Sequence, residues 1–275
     1  MMQPQFLYKY RNWDDEYHKR LITHNEIFFS SIKYFNDPFD STVTARFDMG
    51  TEEQYFASAL RIIEREYPSL TPKKQKRKAY QKFNEKKFKY PENIEWQKKN
   101  MRQVIEERFG VFSLTESEDN IVMWSHYADS HKGFCVGFDY NKLFDLENIM
   151  FSEMHDINLG LYKVEYHKEY PLLNWFELDN EGKTIKVLKI KSYQWEYEKE
   201  YRLILLSDPV KKTILNRKMI LSEGIIAKVI LGCRMRLEHK QAIIEALQKK
   251  QKNIQLSEAK TKDKSFGLDF EEMNY

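Results

Sequence analysis

The chain is poor in cysteine. Its 275 residues hold two, Cys135 and Cys233. Two distant thiols make neither a disulfide framework nor a tetrahedral metal site, so a reducing, cytoplasmic compartment is expected. Long apolar runs are also missing. No stretch approaches the roughly 18 residues that a membrane-spanning helix needs. The opening MMQPQFLYKYRNW has no apolar region of the signal-peptide kind. Excess charge is small, at +3, too little to imply a nucleic-acid partner for the whole chain. The signatures GxGxxG, the P-loop, HExxH, CxxC and GxSxG are all absent. Common nucleotide-binding, zinc-hydrolase and serine-hydrolase readings therefore lack support. Of the seven histidines only His126 and His131 lie close together. Five residues apart on a helix is poor geometry for one metal, and no metal site is expected.

What is present is concentrated in residues 110–140, GVFSLTESEDNIVMWSHYADSHKGFCVGFDY. Val111 to Leu114 is an apolar run of buried-strand type, and Phe134 to Phe138 is a second. Between them Asn120 offers an N-cap, and Ile121, Trp124 and Ala128 follow at helical spacing. Strand, short helix, strand is the expected order. The helix carries MWSHYA, with an indole, a hydroxyl, an imidazole and a phenol on consecutive residues. Either Trp124 and Tyr127 are core while Ser125 and His126 are solvated, or the segment walls a cleft.

Elsewhere, Phe6 to Arg11 alternates as a strand does. Asp14, Asp15 and Glu16 suit a helix N-terminus, so a short helix to about Leu21 follows. Ile27 to Ser31 is another strand candidate. Phe35-Asn36-Asp37-Pro38-Phe39-Asp40 is turn chemistry. Residues 51–108 read as a helical insertion. Its 73–99 region is basic (Lys73, Lys74, Lys76, Arg77, Lys78, Lys82, Lys98, Lys99 among others), with Tyr80, Phe83 and Trp96 interleaved. Such a face can bind the phosphate backbone of RNA or DNA while aromatics stack on bases. A solvated lysine-rich helix pair whose aromatics pack on the core displays the same pattern, and is the favoured reading because charge runs are usually solvated faces. After residue 140 strands predominate. Asp179 to Gly182 reads as a turn, Ile225 to Leu231 as a buried strand, and Leu237 to Leu247 as a helix. Runs of strands with helices interposed irregularly predict an α+β fold with a mixed, mainly antiparallel sheet. One domain, 1–275, is expected.

The second dense segment is Trp195-Glu196-Tyr197-Glu198-Lys199-Glu200-Tyr201-Arg202. As a strand it would put Glu196, Glu198, Glu200 and Arg202 on one face. Three carboxylates in a row repel unless they meet solvent, a cation or a substrate. Arg202 can pair with Glu200. Glu198 and Glu200 are thus candidates to line a cleft and work as acid or base.

LYKYR (7–11), FFSSIKYFNDPFDS (28–41), FSLTES…MWSHYADSHKGFCVGFD (112–139) and WEYEKEYRLI (195–204) resemble a bacterial family catalogued as domain of unknown function 2971. That label implies no activity. More distantly, Tyr8-Lys9-Tyr10-Arg11, Phe29-Ser30-Ser31 and Glu198-Lys199-Glu200 resemble the ordered motifs of ADP-ribosyltransferases. That likeness implies a split sheet and NAD as co-substrate, in a toxin or phage-defence effector. Under it Tyr8, Tyr10 and Arg11 contact NAD, and Arg11 takes the phosphates. Ser30 and Ser31 hold the ribose and the glutamate strand. Glu200 binds the ribose 2′-hydroxyl, and Glu198 serves the acceptor. Asn36, Asp37, Trp124, His126, Tyr127 and Arg202 would complete the cofactor site. The middle motif departs from the family, with Ser-Ser-Ile in place of Ser-Thr-Ser, and Lys9 stands where several families show His. Two alternatives stand beside this. One is a non-catalytic nucleic-acid-binding module; the other is a nuclease built on Asp37, Asp40, His126, Glu198 and Glu200.

Overall fold

The structure is a computed structural model. It describes residues 3–84, 91–153, 157–174, 176, 180–207, 217–250 and 254–275. The chain divides into two compact units, Met1–Asn36 with Glu107–Tyr166 and Tyr193–Tyr275, and Asp37–Glu106 with His167–Ser192.

The first unit is built on an eight-stranded sheet. From edge to edge its strands are Leu268–Met273, Gln255–Thr261, Ile226–Leu231, Phe134–Asp139, Phe6–Arg11, Phe109–Thr115, Glu200–Ser207 and Ile157–Lys163. Ile226–Leu231 and Gln255–Thr261 pair in parallel, joined through the helix Leu237–Gln248, and the other neighbours are antiparallel. This is the α+β class with a mixed, mainly antiparallel sheet.

Period two sorts the side chains onto two faces. Leu7, Phe112, Phe134, Val136, Phe138 and Leu203 enter one core with Trp13, Leu21 and Ile243. Tyr8, Tyr10 and Cys135 enter a second with Met123, Trp124 and Ala128. The helix Glu16–Thr23 starts where its acids predict, because the Asp15 carboxylate accepts from the backbone N–H groups of Tyr17 and His18. Such a cap contributes about 1 kcal/mol. Asn120 does the same for Ile121–Tyr127, accepting from Val122 and Met123.

The second unit holds the basic insertion. Thr51 and Gln54 form a reciprocal capping box at the head of Glu52–Glu66. That helix packs on Pro72–Asn84 through Phe56, whose ring lies 4.4 Å from Tyr80 and 6.1 Å from Phe83. A further helix spans Pro91–Arg108. Thr44–Arg46 pairs in parallel with Leu172–Asn174. Residues 85–90 of the basic region lie outside the described residues. Asp179 does too, but Asn180 to Gly182 open a helix, Asn180–Leu188, in place of the expected turn. Asn and Glu suit a helix start as well as a turn, which is why the two readings are confused. Among the described residues no helix is long and apolar enough to cross a membrane.

Candidate active site

Residues 195–202 are not one strand. Tyr193–Glu198 is a short 3-10 helix, and the strand begins at Glu200. Between them Lys199 adopts a left-handed backbone, with φ of 44°. A side-chain-bearing residue rarely does so, because its Cβ crowds the following carbonyl. The kink breaks the expected alternation. Glu196 stays exposed, while Glu198 and Glu200 both turn inward and are almost fully buried.

Both carboxylates are held by hydrogen bonds. Arg202 Nε donates to Glu200 Oε1 at 2.9 Å, and a terminal guanidinium nitrogen donates to Oε2 at 3.1 Å. This is a two-point ion pair, with Arg202 0% exposed. The Arg202 guanidinium also lies 5.3 Å from the centroid of the Phe35 ring. The Glu200 backbone N–H donates to the Tyr166 hydroxyl at 2.7 Å. Glu198 instead accepts from the Tyr127 hydroxyl at 2.7 Å. Exposed Asn36 donates in turn to that phenol, at 3.5 Å. A polar chain thus runs from an exposed carboxamide through a phenol to a buried carboxylate.

Backbone contacts fix this arrangement. Thr115 Oγ1 donates to the Glu198 carbonyl at 2.6 Å. The Asn120 amide, besides capping its helix, donates to the Tyr197 carbonyl at 2.9 Å. The MWSHYA helix and the glutamate turn are therefore held to each other at both ends. Trp124 anchors the helix, fully buried, with its indole N–H donating to the Glu118 carbonyl at 2.8 Å and its ring 5.1 Å from Tyr10, edge to face.

The remaining candidates divide. Tyr8 pairs with Thr115, and Thr115 with Glu200, so Tyr8, Tyr10, Glu200 and Arg202 share one sheet face. Burial raises the phenol pKa of Tyr8 and of Tyr10, and the nearby Glu118 carboxylate raises that of Tyr8 further. Arg11, one residue on from Tyr10, points to the opposite face. Burial lowers its pKa to about 10, opposed by Asp15. It is not gathered with the glutamates. Ser30 bridges Val111 through its backbone, and its hydroxyl donates to the Ser31 carbonyl at 3.3 Å. Ser31 caps a short 3-10 turn, Ile32–Tyr34. His126 is exposed, 6.2 Å from the Tyr127 ring and edge-on to it.

Asp37 and Asp40 belong to the second unit. Asp37 accepts from the Phe39 backbone N–H at 2.9 Å, the turn chemistry expected of Asn-Asp-Pro. Asp40 is buried 3.7 Å from the Lys191 ammonium and accepts from Ser41 Oγ at 2.9 Å. Among the described residues no group of three or more His, Cys, Asp or Glu is placed to hold a metal ion.

Tyr166 lies in none of the motif segments, and Thr115 and Phe35 lie in them without being marked as site residues. Nothing local marks a tyrosine or threonine whose role is to hold the backbone of a distant segment.

An α+β protein with a buried carboxylate cluster at one end of its sheet is the class that these observations define. The family described as protein of unknown function (DUF2971) matches residues 123–203. The segment runs from the MWSHYA helix to the Glu200–Arg202 strand, and the resemblance to that family is borne out over it. No curated protein and no solved structure matches the chain.

Proposed function

We propose that the carboxylate cluster is the active site of a transferase that breaks the glycosidic bond of NAD and passes ADP-ribose to a nucleic-acid or protein acceptor. One observation carries this reading. Two motif segments meet here: Tyr127 of MWSHYA donates to Glu198, and Glu198, Glu200 and Arg202 of WEYEKEYRLI are all buried. Cleaving a glycosidic bond to a good leaving group needs a placed carboxylate and a cleft that orients the sugar.

The roles differ from those that the resemblance implies. Arg202 pairs with Glu200, and we assign Glu198, held by the Tyr127 hydroxyl beside the Lys199 kink, to face developing positive charge. Tyr127 orients it. Arg11 lies on the other side of the sheet and takes no part. His126 and Asn36 stand on the exposed side, where a substrate would enter.

The test uses the full chain, labelled NAD, and RNA, DNA and cell-extract protein as acceptors. Removing one preorganised electrostatic group costs roughly 10²–10³ in rate. Glu198→Gln is expected to lose that much label transfer with unchanged circular dichroism, and Tyr127→Phe to lose less. Wild-type protein that consumes no NAD with any acceptor sinks the reading. A Mg²⁺-dependent cleavage of RNA or DNA in its place would favour the nuclease.

A second reading concerns the second unit. On Pro72–Asn84 the buried positions are Gln75 and Ala79, and Lys73, Lys74, Lys76 and Arg77 face solvent beside half-exposed Tyr80. This arrangement fits a nucleic-acid-binding face. Neutralising these four cations is expected to lower the salt slope of RNA binding by about 0.7 for each phosphate that is no longer neutralised. A slope that stays unchanged removes the proposal.

A further inference from the structure

Lys250 is a half-buried ammonium in the first unit, just past the end of the helix Leu237–Gln248. Its amine donates to Asn25 Oδ1. No carboxylate among the described residues forms an ion pair with it. Burial alone lowers its pKa, to about 8. A charged group held out of water by a neutral partner is costly unless something else supplies the counter-charge.

The surroundings supply space for it. A cavity of about 440 Å³ is lined by Asn25, Ser222, Glu223, Gly224, Lys249 and Lys250, with Ile226 and Ile254 as an apolar wall. The rim is shaped by two left-handed residues, Asn25 with φ of 52° and Gly224 with φ of 80°. Lys142 reaches the same rim and donates to the Gly224 carbonyl at 3.0 Å. Lys250 and Lys249 also border a second cavity of about 490 Å³, with Lys19 and Glu245. Lys19 is already paired with Glu16 at 2.5 Å. The charged groups around Lys250 are thus Lys249, Lys142 and Lys19 against Glu223, Glu245 and Glu16, which balance, so the positive excess at the cavity is Lys250 itself.

We propose that the cavity at Lys250 is a binding site for a phosphate group carried on a small organic molecule. The ammonium groups of Lys250 and Lys249, the Asn25 carboxamide and the Ser222 hydroxyl offer dispersed donors, which suit a tetrahedral oxyanion better than a flat carboxylate. Lysine is a point-charge binder of phosphate. The cavity has room beyond a bare phosphate, and its isoleucine wall would take the organic part. None of the carboxylate-cluster residues lines it, so the site is separate from the proposed transferase centre.

The experiment is calorimetric titration of the full chain near neutral pH with inorganic phosphate and with glycerol 3-phosphate. Saturable binding of both is expected, tighter for the ester, and Lys250→Met is expected to weaken it at least about tenfold. Tighter binding of the inorganic ion would assign the site to free phosphate and overturn the organic ligand. Asn25→Gly keeps the left-handed backbone accessible while removing the carboxamide, and should weaken binding as well. A second readout needs no variant. In a proton-resonance titration one lysine should titrate near pH 8 and move upward when phosphate is bound. Non-saturable binding, binding indifferent to Lys250→Met, or a lysine pKa unmoved by phosphate overturns the proposal.

The sign for stability follows from the same group. Its folded pKa is below the ordinary 10.5, so the unfolded chain binds the extra proton between the two values. The penalty is fully present below pH 8 and fades as the pH rises towards 10.5. Lys250→Met is therefore expected to melt higher than wild type at neutral pH without phosphate, and to lose that advantage at alkaline pH.

Discussion

Arg202→Met is expected to destabilise the fold by about 3–5 kcal/mol, because it strands the Glu200 carboxylate in a dry interior. The guanidinium is 0% exposed and the carboxylate residue 3% exposed, so water replaces neither partner. Two hydrogen bonds, at 2.9 and 3.1 Å, disappear together. The neutral Tyr166 hydroxyl touches the Glu200 backbone N–H and cannot replace the cation. Urea unfolding followed by circular dichroism reads the effect as a lowered midpoint with an unchanged slope. The control is the double change Glu200→Leu with Arg202→Met. Replacing both members of a buried pair by apolar groups of similar volume is often neutral or stabilising by about 1–4 kcal/mol. The double variant should recover most of the loss. A single variant as stable as wild type would mean that Glu200 is solvated or differently partnered.

This pair also separates what the sequence made legible from what it concealed. The pairing of Glu200 with Arg202 was readable, since residues two apart share a strand face. So was the helix at Ile121–Tyr127, because an Asn cap and helical spacing are local signals. The same period of two argues against gathering Tyr10 and Arg11 at one ligand, since neighbours on a strand point opposite ways; the motif likeness points to the contrary. The turn at Glu198 was hidden for another reason. No Gly or Asn marks the left-handed position, and Lys199 adopts it only because long-range contacts at Thr115 and Asn120 hold the flanking backbone. Strand order was hidden too. The parallel pairing of Ile226–Leu231 with Gln255–Thr261, and the neighbours of Phe6–Arg11, depend on contacts far apart in the chain.

Trp124→Ala tests whether the MWSHYA helix is the keystone of the second core. The indole is fully buried among Tyr10, Met123, Ala128 and Cys135. It stacks on His131 at 6.2 Å and 12°, and meets Tyr10 edge to face at 5.1 Å. Truncating a buried Trp removes this packing and leaves a cavity, at a cost of about 3–5 kcal/mol. The loop after the helix cannot collapse to fill it. Asp129, Ser130 and His131 are all left-handed. A Cβ on Gly133 would stand 2.1 Å from the Arg11 carbonyl oxygen, so backbone already occupies that side. Trp124→Phe keeps most of the ring but leaves the carbonyl of half-buried Glu118 without its donor, a smaller cost of about 1 kcal/mol. Thermal and urea unfolding should rank the variants wild type, then Phe, then Ala. Because Tyr127 lies one turn on from Trp124, the loosened helix should also slacken the 2.7 Å bond to Glu198. Near-equal stability of all three proteins would place the fold's keystone elsewhere.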